Sequence, residues 1–272
     1  MVETIHPGIA APEARVAVFD FDGTVSLIRA GWDEILASMM LEVLSALPTG
    51  ESEEELRQVI ESLIRRNTGG DTLLQTIAFA EQIALRGGTP LDPRVYRQEY
   101  YTRLSDVTGR RIQQLRDGSC APDHYLVPGT RAFLEDLRAR GLRLCIASGT
   151  DDADVKAEAD LLDISRYFKG GVFGSLPDPA AFSKRILIDR ILARPGMRPY
   201  HLIGFGDGTV EMVEFKRAGM LAVGLATDEP QCRIASPWKR RNLIDVGADY
   251  IIPNYLCRPV LLPMLFANHE PI

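Results

Sequence analysis

The chain has 272 residues, 46% of them hydrophobic and 25% charged, with a formal net charge of −6. That composition excludes collagen, coiled coil and wholesale disorder, and the length fits one large domain or a core with a smaller companion. The acidic balance argues against a general nucleic-acid partner, which needs a basic face; an anionic substrate would need local positive charge or a metal.

No apolar run is long enough to cross a membrane. Residues 1–15 carry acids and two prolines ahead of the first apolar run, unlike a signal peptide. The four cysteines, Cys120, Cys145, Cys232 and Cys257, are scattered with no CxxC. This argues against a disulfide framework or a zinc cluster and fits a reducing cytoplasm.

The first strand is expected at Val16–Asp20. The next strand-like run, Leu142–Ala147, comes only about 120 residues later. A crossover between parallel strands needs far less. The interval is helical in pattern. Ile35, Leu36, Met39, Met40, Val43, Leu44 and Leu47 recur at helical spacing. Ser52 to Glu55 reads as a capping box ahead of Leu56, Val59, Ile60, Leu63 and Ile64. Gly69-Gly70 breaks the chain, Asp71 starts a helix that Gly87-Gly88 ends, and a further helix is expected from about Pro93 to Leu115. Residues 27–122 are therefore expected to form an inserted all-α domain, leaving 1–26 and 123–272 as the core.

In the core, Thr130 is expected to cap a helix ending at Gly141. Short apolar runs follow at Gly171–Phe173, His201–Phe205, Leu221–Leu225 and Tyr250–Ile252. Ser183 caps a helix carrying Ile186, Leu187, Ile191 and Leu192. Another helix covers Val210–Ala218, and Ser236-Pro237 opens one that Gly247 closes. Near-continuous apolar strands alternating with helices predict an α/β fold with a parallel sheet buried on both faces.

Chemistry-bearing residues fall at strand ends. In Phe19-Asp20-Phe21-Asp22-Gly23-Thr24, residues two apart on a strand share a side, roughly 7 Å apart. Asp20 and Asp22 thus present two carboxylates toward one spot, one a candidate nucleophile and the other a candidate acid/base. Ser148-Gly149-Thr150-Asp151 offers a hydroxyl and backbone N–H groups suited to phosphate oxygens. Lys184, in a first helical turn, runs against the helix dipole unless an anion offsets it. Gly206-Asp207-Gly208-Thr209-Val210-Glu211 supplies two more acids, and Asp207 with Asp20 would suit Mg²⁺. Each feature has an ordinary structural explanation, but their order at successive strand ends does not. Phosphate monoesters are among the slowest substrates to hydrolyse, needing up to about 10²¹-fold acceleration, and these groups are the ones that task requires.

The four motifs, Asp20-Phe-Asp22-Gly-Thr24, Ser148, Lys184 and Gly206-Asp207-Gly-Thr-Val-Glu211, resemble those of the haloacid dehalogenase-like hydrolase superfamily, in its phosphatase and phosphomutase branch. The resemblance spans Val16 to about Asn254. It implies a Rossmann-like core with a parallel β-sheet flanked by helices, and a helical cap closing over the site. It implies Asp20 as the nucleophile that forms an aspartyl-phosphate, and Asp22 as the group that protonates the leaving oxygen and then activates water. Thr24, Ser148, Gly149 and Lys184 would hold the phosphoryl group. Mg²⁺ would bind the carboxylates of Asp20 and Asp207 and the backbone carbonyl of Asp22, with Glu211 in support. An acid at position 22 separates phosphatases from the dehalogenase and phosphonatase branches. Lys169 competes with Lys184, but the helix start favours Lys184.

The resulting expectation is a cytoplasmic, Mg²⁺-dependent phosphatase acting on a small phosphorylated metabolite such as a sugar phosphate, with no nucleic-acid or membrane partner. A sugar phosphomutase is the alternative, and a non-catalytic ligand-binding module the third reading. Arg65-Arg66 could bind a second anion, but a solvated helix face is the simpler expectation, as it is for Lys239-Arg240-Arg241. Substrate identity and oligomeric state are not legible.

Overall fold

Strands buried on both faces need apolar side chains pointing both ways, and the central strands have them. The structure, a computed structural model, describes residues 1–66, 72–176, 181–229 and 231–267, with the side chains of Arg65 and Arg66 left outside. The Gly69-Gly70 break, the helix start at Asp71, and the side chains of Arg65 and Arg66 therefore lie outside the described residues.

The chain divides into two compact units, residues 1–30 with 112–272, and residues 31–111. The first unit opens with β1 (Glu3–Thr4) and β2 (Val16–Phe19). The second is helical: α1 (Trp32–Ser45), α2 (Glu53–Arg66), α3 (Thr72–Leu85) and α4 (Pro93–Arg116), the last running past its boundary. The chain then continues in the first unit with α5 (Thr130–Ala139), β3 (Arg143–Asp151), α6 (Asp152–Leu161), β4 (Gly171–Ser175), α7 (Lys184–Leu192), β5 (Leu202–Gly206), α8 (Thr209–Arg217), β6 (Leu221–Leu225), α9 (Pro237–Asp245), β7 (Tyr250–Ile252) and α10 (Arg258–Leu265).

The helical unit is narrower than the 27–122 expected from sequence. Leu27, Ile28 and Ala30 at one end, and Ile112 and Leu115 at the other, pack into the core's own apolar cluster. Within the helical unit, Leu36, Met40, Leu44, Ile60, Phe79 and Tyr96 form a separate cluster. The capping box at the start of α2 is made: Ser52 N donates to Glu55 Oε2 at 2.7 Å, and Glu55 N donates to Ser52 Oγ at 3.3 Å.

Among the described residues, the core sheet runs β1-β7-β6-β5-β2-β3-β4. β1 is antiparallel to β7, and every other pairing is parallel. Along β2, Ala17 and Phe19 join one apolar cluster while Val16 and Val18 join the other, on the opposite face. Phe19 stacks on Phe205 with centroids 4.6 Å apart, and Phe133 of α5 stacks on Tyr255 at 4.7 Å. Phe133 also meets Phe205 edge-on at 5.3 Å, so a strand pair and a helix share one aromatic core.

Two local expectations are corrected. The N-terminal strand β1 carried no periodic signal, being only two residues long. Thr130 is the first helical residue and not the cap: Gly129, at φ 86, takes the cap position, and the Thr130 hydroxyl donates to Val127 O at 2.6 Å. A side chain at 129 would meet the backbone of Tyr255 and Leu256. Ser183 caps α7 as expected, accepting from Ile186 N at 3.2 Å.

The order of strands matters for function. The chain builds outward from β2 through β3 to β4, then returns to place β5 on the other side of β2. Beyond the carboxyl end of β2 the connections diverge, which leaves a crevice where α/β proteins bind ligands. Phe133→Ala should lower stability by about 3–5 kcal/mol, since a fully buried ring leaves a cavity that the stacked neighbours cannot fill. A fall in the urea midpoint of the far-ultraviolet circular dichroism transition checks this.

Candidate active site

Phe19 lies opposite Ile146 of β3 and Phe205 of β5, so the next residue, Asp20, leaves the sheet between these two strands, beside the end of β5. Its backbone N–H donates to Phe205 O at 2.9 Å. The chain then turns tightly, with Val25 N and Ser26 N both bonded to Phe21 O at 2.8 Å. Gly23 sits at φ 72 in this turn, and a Cβ there would collide with the Asp207 carboxylate. Glycine is thus required at position 23 for both conformation and space.

Three carboxylates converge: Asp20, Asp207 and Glu211 each offer an oxygen, all within 4.8 Å of one another. Lys184 Nζ, at the start of α7, lies 2.7 Å from Asp20 Oδ1 and 3.0 Å from Glu211 Oε2. Lys169, the competing lysine, is exposed. Glu211 also accepts from Gly208 N at 2.6 Å, which fixes it at the start of α8. A Cβ at Gly206 would run into the Glu211 side chain, so the glycine makes room for the acid.

Burial pushes the Asp20 carboxyl well above its usual range, with Lys184 opposing and the other two acids reinforcing. Burial likewise raises Asp207, to about 6. Burial acts the same way on Glu211, but the Lys184 ammonium and the Gly208 N–H outweigh it and hold that carboxylate below its usual range. Burial disfavours the Lys184 ammonium, yet its two acidic neighbours keep it more firmly protonated than a free lysine.

Two side chains complete the cluster that sequence reasoning missed. Lys239 was expected on a solvated helix face. It is 6% exposed and lies 2.8 Å from Asp207 Oδ2 and 2.6 Å from Glu229 Oε1. The reason is position: Lys239 sits in the first turn of α9, as Lys184 does in α7, and both helix starts face the carboxyl end of the sheet. Like Lys184, Lys239 is a cation in a first helical turn, set against the helix dipole unless an anion offsets it. No signal in the sequence marked Glu229. Arg240, by contrast, is half-exposed and pairs with Glu3.

The remaining residues divide. Thr24 is buried and donates to Asp207 Oδ1 at 3.3 Å. Ser148 is buried, and its hydroxyl accepts from Thr150 N at 3.0 Å. Gly149 is exposed, with open space where a Cβ would point. Asp22 stands outside the acidic cluster: Thr150 Oγ1 donates to its Oδ2 at 2.6 Å, and Arg29 Nη1 approaches its Oδ1 at 3.4 Å. Arg29 in turn pairs closely with the buried Glu158 of α6, whose carboxyl burial pushes up to about 6 against the pull of that guanidinium.

The donor set fits a divalent cation. Four carboxylates (Asp20, Asp207, Glu211, Glu229) and two ammoniums (Lys184, Lys239) leave a formal charge of −2 when all are ionised. Two carboxylate oxygens no more than 4.8 Å apart repel by at least about 3 kcal/mol at an effective dielectric of roughly 20. A hard dication bound by oxygens removes that repulsion and balances the charge.

A family model for haloacid dehalogenase-like hydrolases matches residues 14–219. The chain is 28% identical over 168 residues to a phosphoglycolate phosphatase of Synechococcus elongatus, covering 57% of this chain and 77% of that protein. It is 26% identical over 226 residues to one of Escherichia coli O157:H7, covering 78% and 81%. A solved haloacid dehalogenase-like protein of Agrobacterium tumefaciens superposes with a TM-score of 0.58 at 18% identity, over 92% of this chain and 97% of that one, a likeness of fold. With the family's strand-end acids and lysine gathered beyond β2, the chain belongs to the haloacid dehalogenase-like hydrolases and is an enzyme of their phosphatase branch.

Proposed function

We propose that the protein is a Mg²⁺-dependent phosphatase that hydrolyses a small phosphorylated metabolite through an aspartyl-phosphate on Asp20. The supporting observation is the Asp20 carboxylate at the sheet's switch point, held 2.7 Å from a buried lysine within a cluster of formal charge −2. The carboxylates of Asp20 and Asp207 and the backbone carbonyl of Asp22 would hold the cation. When bound, Mg²⁺ supplies charge neutralisation and orientation to the phosphoryl oxygens.

Asp20 forms the new P–O bond as the bond from phosphorus to the ester oxygen breaks. Asp22 gives its proton to that leaving oxygen. Water then attacks the phosphorus, passes a proton back to Asp22, and the Asp20–phosphorus bond breaks to release phosphate. Lys184 offsets the charge of nucleophile and phosphoryl group, and Glu211 holds Lys184 in place. Ser148 and the N–H groups beside it offer donors to the phosphoryl oxygens. Sugar phosphates head the substrate panel, joined by phosphoglycolate, which the curated relatives at 26–28% identity carry in their names. Scoring free phosphate against isomerised sugar phosphate separates hydrolysis from the phosphomutase alternative.

Asp20→Asn keeps the side chain's shape and removes its nucleophilicity. Turnover should fall by about 10³-fold or more with the melting temperature held or raised, as read by phosphate release and calorimetry. Chelation should stop turnover and lower the melting temperature, and Mg²⁺ should restore both. Excess cation at about 100 times its dissociation constant is worth roughly 2.7 kcal/mol of stability. Turnover in excess chelator, or melting indifferent to Mg²⁺, removes the metal from the reading.

A further inference from the structure

Glu158 is the exception on its helix. The inward face of α6 carries Val155, Glu158 and Ala159, and the two apolar residues belong to the core cluster. Glu158 is only 3% exposed, and its partner is Arg29, itself 18% exposed. A buried ion pair contributes little to stability, because desolvating two charges offsets most of their attraction, and well-packed apolar side chains do as well or better. Packing alone therefore gives no reason to keep this pair.

The pair does touch something chemical. Arg29 Nη1, the nitrogen that meets Glu158, also reaches Asp22 Oδ1 at 3.4 Å. Thr150 Oγ1 holds the other oxygen, Oδ2, at 2.6 Å. Asp22 is thus bracketed, by a hydroxyl from the end of β3 and by a guanidinium that Glu158 anchors. Glu158 is the closer partner of the two acids and fixes the guanidinium, which lies between them. For Asp22 the anchored guanidinium is a fixed cationic donor at 3.4 Å that limits where the carboxyl can swing.

We propose that Arg29 and Glu158 are positioning residues for Asp22, aiming its carboxyl at the ester oxygen that leaves. This rests on the reading of Asp22 as the acid/base. Neither residue need touch substrate; a proton donor displaced by an ångström loses much of its effect. The consequence is selective. Only esters whose leaving oxygen needs a proton in the first step depend on the aim of Asp22.

The test compares kcat/KM, which reports the step that expels the leaving group, for phenyl phosphate and dinitrophenyl phosphate. Dinitrophenolate departs without a proton, while phenolate is helped by one. The double variant Arg29→Met with Glu158→Gln removes both charges together, so neither is left buried alone. It should lose about tenfold or more on phenyl phosphate and less than about threefold on dinitrophenyl phosphate. Glu158→Gln alone, the milder change, should show the same split to a smaller degree. Equal losses on both esters, or none, overturn the inference. Asp22→Asn is the reference. A split there without one in the double variant overturns the positioning role alone, whereas no split in Asp22→Asn removes the acid role and this inference with it.

Discussion

The site depends on one contact, the Lys184 ammonium between Asp20 and Glu211. Three carboxylate oxygens within 4.8 Å could not be held in a buried crevice without a counter-charge at that point. Lys184 starts α7, where the helix dipole disfavours a cation. Only the acids across from it make that position favourable, so helix and acids stabilise each other. Lys239 repeats the arrangement on α9, gripping Asp207 and Glu229. The two ammoniums set the charge that a cation must complete, and they do so from rigid helix starts.

Much of this was legible in the sequence because parallel strands buried on both faces leave an unbroken apolar signature. Once six of the strands were placed, their ends located Asp20, Ser148 and Asp207, and the β2 register puts the first of these between β3 and β5. The helix boundaries followed from caps such as Ser183 and Ser52. What could not be read were pairings across long sequence distance. Arg29 and Glu158 are 129 positions apart, and neither carries a motif. Lys239 looked like its solvated neighbours because a run of three cations says nothing about which one faces inward. The ends of the helical insertion were set by where apolar residues such as Ile28 and Leu115 happen to pack, a property of the tertiary core that periodicity does not contain.

Space is as tightly specified as charge. Gly23 and Gly206 sit where the acids Asp207 and Glu211 need room, so the glycines of the two motifs serve the carboxylates as much as the turns. The first motif is a hairpin-tight loop on a central strand, and its two acids face different neighbours: Asp20 a lysine, Asp22 a threonine and an arginine. That difference in surroundings distinguishes two side chains of identical chemistry.

The two-residue strand β1 has a role out of proportion to its length. It closes one flank of the sheet by pairing antiparallel with β7, and Glu3 is tied down by Arg240. Sheet flanks with unpaired amides are templates for self-association. A chain trimmed ahead of Arg15 would keep every group that does chemistry while baring β7 along its outer side, so its fate in the tube would be governed by precipitation long before catalysis became the issue.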